Sequence, residues 1–146
     1  MLDGEGFVYK DVGFAGVKGF GGGFDNLILT SWGEPAIKAF VNEAVNESLK
    51  LEQALNELET EKKVVVMHYS PIKATVVGEP ESIFPFLGSS RHADTINRLG
   101  ATVVFHGHAH HGTHEGKTSK DIPVFNVSCA IMEKRNPAKP YMIYDL

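Results

Sequence analysis

Val64-Val65-Val66-Met67-His68 is an apolar, largely β-branched run closed by a histidine, and Thr102-Val103-Val104-Phe105-His106 repeats the pattern. Short runs of this kind read as strands buried on both faces, the habit of a parallel sheet with helices packed against it. Between them, Ser90 to about Leu99 has the length of a short helix, with Gly100 in the usual position for a helix stop. Upstream, a long helix is expected from about Glu34 to Thr60. Its apolar positions Ile37, Val41, Ala44, Leu51, Leu55 and Leu58 recur at spacings of three, four and seven. Ser31 and Glu34 stand at capping-box spacing, and Pro35 is tolerable in the first turn. The charges of this helix read as a solvated face.

Working outward, Phe7-Val8-Tyr9 and Val12-Gly13-Phe14-Ala15 suggest two short strands, followed by the loop Gly19-Phe20-Gly21-Gly22-Gly23. That glycine run is no phosphate cradle, since a helix does not follow it directly and neither of the glycine-rich nucleotide-binding strings is present. Residues 69–90 hold three prolines and no clear period, so a long loop is expected there. Val124 to Val127 and Tyr141 to Tyr144 read as two final strands. The sum is an α/β domain with a mixed sheet, antiparallel towards its beginning and end, occupying residues 1–146 as one unit.

Composition narrows the function classes. The 146 residues carry a formal charge of −4, which argues against nucleic-acid binding because that needs a basic face. It leaves room for small phosphorylated substrates, whose charge bound cations can meet locally. No apolar stretch approaches the roughly 20 residues of a membrane span. The segment Met1-Leu2-Asp3-Gly4-Glu5 lacks the pattern of a signal peptide, and the single cysteine, Cys129, forms no internal disulfide. A cytoplasmic location is the expectation.

The chain has seven histidines, and five of them fall between His106 and His114. His68 and the cluster His106-Gly107-His108-Ala109-His110-His111-Gly112 each follow an expected strand, where functional groups of open α/β sheets collect. Alone, His68 reads as a rim histidine. The cluster is different, because several adjacent imidazoles repel or suffer desolvation unless a metal organises them. Neutral imidazole nitrogens suit a borderline ion such as zinc. His108 and His110 converge only if the backbone turns, and Gly107 and Gly112 are expected to supply the turn.

Val64-Val65-Val66-Met67-His68-Tyr69-Ser70-Pro71 resembles the strand-plus-His-x-x-Pro block of calcineurin-like metallophosphoesterases, and Val103-Val104-Phe105-His106-Gly107-His108-Ala109-His110 resembles their Gly-His-x-His block. The resemblance extends over essentially the whole chain. It implies the C-terminal half of a two-sheet sandwich flanked by helices. It also implies a binuclear site of two divalent or trivalent ions of manganese, iron or zinc type. His68 and His108 would ligate one ion and His110 the other, with His106 and His111 left without a role. The implied activity is hydrolysis of phosphomonoesters or phosphodiesters.

The departure matters as much. The family's Asp-x-His, Gly-Asp-x-x-Asp and Gly-Asn-His blocks precede the strand of His68, and none is present; no histidine precedes His68 at all. The resemblance thus implies a partial domain, beginning after the third block, with no catalytic residue of its own. It would depend on an N-terminal partner polypeptide or on self-association. A non-catalytic metal-binding or interaction module derived from the family is the alternative. Other metalloenzymes fit less well: the long helix has no place in a cupin barrel, and Thr118 stands where a His-Glu-x-x-His string would need histidine.

Overall fold

The computed structural model describes residues 2–146. Six strands form one mixed sheet in the order β1-β2-β3-β4-β6-β5, with β1 at Glu5–Tyr9, β2 at Val12–Val17, β3 at Lys62–Met67, β4 at Val103–His106, β5 at Glu115–Lys117 and β6 at Pro123–Asn126. The four central strands β2, β3, β4 and β6 run parallel, and β1 and β5 flank them antiparallel. All four parallel strands therefore end at one rim, which is what the two apolar runs closed by histidines anticipate.

Four helices complete the fold: α1 (Pro35–Asn56), α2 (Phe84–Leu87), α3 (Ser90–Leu99) and α4 (Cys129–Arg135). The two longer ones pack on one face of the sheet. Leu51, Ala54 and Leu55 of α1 and Ala93 and Ile96 of α3 meet Ala15, Val17, Val65, Met67, Val104 and Val124 in a single core. Leu51, Leu55 and Ile96 are fully buried, each contributing about 1.5–3 kcal/mol of transfer free energy. No helix among the described residues is long and apolar enough to cross a membrane.

Several expectations need correction. Helix α1 begins one residue later than expected and stops at Asn56. Glu34 is its N-cap with extended φ −67° and ψ 154°, and no side chain caps the end. The residue before a proline is pushed out of the helical region, so Pro35 sets the start and Ser31 has no capping role. Ile37 is 49% exposed, so the buried stripe opens at Val41. Nor is the charged face wholly solvated, because Glu47 is 1% exposed. The 69–90 loop carries two 3₁₀ turns, at Lys73–Thr75 and Glu81–Ile83, as well as α2. Strand β5 and helix α4 lie where no element was anticipated.

Tyr141–Tyr144 is no strand. Its alternation of aromatic residues serves packing across the sheet, with Tyr144 resting on Phe105 and Phe125 at ring-centroid distances of 5.8 and 5.6 Å. That sheet face, opposite α1 and α3, also carries Phe7, Phe14 and Val66 by strand register. Val66 is 44% exposed there and Phe7 54%. The described residues form one sheet; they contain no second sheet to cover this face.

Candidate metal centre

The rim is stitched together by backbone hydrogen bonds between strand ends. The carbonyl of Lys18, just past β2, accepts from the amides of His68 (3.0 Å) and Tyr69 (3.2 Å), just past β3. The amide of Gly107, just past β4, donates to the His68 carbonyl at 3.1 Å, and the amide of Val127, past β6, donates to the His106 carbonyl at 2.7 Å. Parallel register extends up to this line, with Val66 opposite Phe105 and Phe105 opposite Phe125.

At this rim the rings of His68 and His108 lie 4.7 Å apart, and the Tyr69 ring packs on His108 at 4.4 Å. His108 has φ +67°, the left-handed region that costs a non-glycine residue roughly 1–2 kcal/mol. The turn expected of the glycines is thus made by the histidine itself. Gly107 has no positive φ, and a side chain there would meet nothing nearer than 3.8 Å. Gly112 is needed for another reason: a Cβ would collide with the carbonyl oxygen of Thr75. Strain at a site residue persists only where the surroundings fix it, and here a hydrogen bond helps. Nε2 of His108 lies 3.2 Å from the Phe86 carbonyl. A carbonyl only accepts, so Nε2 carries the proton and Nδ1 is left as the lone-pair donor.

His68 titrates below the ordinary histidine range, first through desolvation and then through the like charges of His108 and His110. A neutral imidazole is the form a metal takes. The side chain of His110 is exposed. Among the described residues no group of three or more His, Cys, Asp or Glu side chains is placed to hold an ion, so His110 does not join the pair in a three-ligand set. His68 and His108 are thus the two imidazoles that stand side by side at the rim.

The other histidines behave differently. His111 is exposed, and its amide donates to Glu79 at 2.7 Å. His114 Nδ1 donates to the Asn126 carbonyl at 3.1 Å. His106 is 1% exposed. Its Nδ1 lies 2.8 Å from the Gly107 carbonyl and its Nε2 2.8 Å from Thr75 Oγ1, and burial holds its pKa down to about 4. His92, fully buried on α3, packs its Nδ1 3.0 Å from Ser48 Oγ and its Nε2 3.1 Å from the Phe20 amide and 3.3 Å from the Phe20 carbonyl. Beside it the buried carboxylate of Glu47 accepts the Gly19 amide at 2.9 Å and the Lys50 ammonium at 2.8 Å. Together these groups fasten the glycine loop that carries the Lys18 carbonyl. Sequence patterns missed Glu47, Thr75, His92 and Asn126; only Asn126, a polar residue closing an apolar strand at the histidine rim, had a usable signal.

The chain is similar in fold to a protein of known crystal structure, with a TM-score of 0.51 at 19% identity, over 87% of this chain and 45% of that one. Likeness at this identity concerns the fold alone, and the chain spans less than half the length of that neighbour. No family model matches the chain. No curated protein matches it in sequence.

Proposed function

We propose that the chain supplies His68, His108 and His110 to the binuclear metal site of a phosphoesterase that hydrolyses phosphate mono- or diesters. The observation that carries this reading is the 4.7 Å approach of the His68 and His108 rings beyond the ends of two adjacent parallel strands. The Gly-His-x-His and His-x-x-Pro strings at those ends support it. His68 and His108 would hold one ion, the latter through Nδ1, and His110 would serve the second. Such ions polarise phosphoryl oxygens and lower the pKa of bound water. The chain's own part is to hold neutral imidazoles in place: the Lys18 carbonyl anchors the His68 backbone, and the Phe86 carbonyl orients the His108 ring.

Three imidazoles do not hold two ions, so the remaining ligands belong to residues outside these 146. The test is hydrolysis of a chromogenic phosphodiester with manganese, by the chain alone and with an added polypeptide carrying Asp-x-His, Gly-Asp-x-x-Asp and Gly-Asn-His blocks. Activity should appear only in the mixture and vanish with His108→Ala. Full activity from the chain alone, or a mixture indifferent to that substitution, refutes the reading.

A further inference from the structure

We infer that Thr75, acting with His106 and Ser70, is the positioning residue that sets the spacing between the His68 and His108 loops. Thr75 lies in the 69–90 loop, seven residues beyond His68. It sits in the 3₁₀ turn Lys73–Thr75, is fully buried, and touches both histidine segments. Its Oγ1 is 2.8 Å from Ser70 Oγ, two residues beyond His68, and 2.8 Å from His106 Nε2, two residues before His108.

The proton directions follow from the acceptors. The Gly107 carbonyl only accepts, so His106 carries its proton on Nδ1 and offers a lone pair at Nε2. The Thr75 hydroxyl therefore donates to His106, while the one Ser70 proton is shared between Thr75 Oγ1 at 2.8 Å and the Ile72 carbonyl at 2.9 Å. Ser70, Thr75 and His106 are 0%, 0% and 1% exposed, so no water substitutes for a lost partner at these atoms. A buried acceptor left bare is costly, and a loop shifts to avoid it.

The Thr75 backbone adds a second tie. Its carbonyl lies where any side chain at Gly112 would have to go, and it accepts from Asn126 Nδ2 at 3.4 Å. Asn126 Nδ2 also donates to the Ala109 carbonyl at 2.7 Å, between His108 and His110. The turn at residues 73–75 is thus a wedge of fixed size between the two histidine loops. In the phosphoesterase reading this makes Thr75 an outer support of the first ion, and such supports typically change metal affinity 10–100-fold.

The test uses the intact chain with Thr75→Val, which keeps shape and removes the hydroxyl, Thr75→Ser, which restores it, and Ser70→Ala, the mildest break. Two readouts are taken: nuclear Overhauser contacts between the His68 and His108 ring protons without metal, and cobalt(II) affinity by calorimetry. Thr75→Val should lose the ring contacts and bind cobalt at least tenfold more weakly. Thr75→Ser should match wild type in both, and Ser70→Ala should bind at least threefold more weakly. If Thr75→Val fails to fold, Ser70→Ala against wild type decides. Ring contacts unchanged in the Val and Ala variants overturn the inference. Wild-type ring contacts without any cobalt binding leave the positioning role standing and reject the metal reading on which its function rests.

Discussion

The Phe86 carbonyl accepts from His108 Nε2 at 3.2 Å, which leaves Nδ1 as the free lone pair of that ring. Long-range proton–nitrogen NMR of the metal-free chain above pH 7 should therefore show His108 as the Nε2–H tautomer. Added zinc should perturb His108 and His68 first and bind weakly, because two imidazoles leave a tetrahedral ion half coordinated. An Nδ1–H tautomer, or tight uptake of two ions by the chain alone, contradicts this arrangement.

His92 should make the fold acid-sensitive. Burial holds its folded pKa down to about 4, against an ordinary 6.5, with the positive Arg91 adding to the depression and the Phe20 backbone opposing it. The unfolded chain takes up the proton first as pH falls. Stability is thus fully present above about pH 6.5 and is lost towards pH 4, where the effect levels off. A shift of this size corresponds to a loss on the order of 3 kcal/mol. Denaturant unfolding at pH 7 and pH 4.5 should show a clearly smaller drop for His92→Gln than for wild type. Equal drops would remove His92 from the account.

The sheet face that Tyr144 covers only in part should drive self-association. Phe7 and Val66 are 54% and 44% exposed on it, beside the half-buried Phe14, Phe105 and Phe125. An apolar expanse of that kind on one side of a sheet is normally covered. Light scattering should show mass rising with concentration, and Val66→Lys should reduce the rise without lowering the melting temperature. A wild-type monomer at high concentration would mean that the Tyr141–Tyr144 segment covers the face well enough.

Two glycines of the histidine loop should respond oppositely to alanine. Gly107→Ala meets no atom nearer than 3.8 Å and should leave thermal stability within about 0.5 kcal/mol. Gly112→Ala drives a methyl into the Thr75 carbonyl and should cost at least about 2 kcal/mol. Equal melting curves would show that the loop yields more easily than its packing implies.

The central architecture was legible because its signals are local. Val64–Met67 and Val103–Phe105 are short, β-branched apolar runs, and Val41, Ala44, Leu51 and Leu55 repeat at helical spacing, so the strands followed from run length and residue type and the helix from its period. What was missed depends on partners distant in sequence. Glu115-Gly116-Lys117 has no apolar alternation and becomes β5 only through pairing with Pro123–Phe125. Tyr141–Tyr144 alternates like a strand, but Tyr144 meets Phe105 and Phe125 in place of a ladder. At the candidate site, the histidines were visible as residue types at strand ends. Their supports were not, because nothing in the string Lys73-Ala74-Thr75 announces that a hydroxyl will be buried against His106.

The left-handed backbone at His108 has a consequence for variation. Glycine, asparagine, aspartate and histidine enter that region most readily, and β-branched or bulky residues resist it. His108 is thus confined by its own φ of +67° as well as by any ligand it holds, whereas exposed His110 and His111 have no such positive φ. Drift in this loop should run along its outer half, towards His111 and Thr113. The inner half is conformationally committed before any ion arrives.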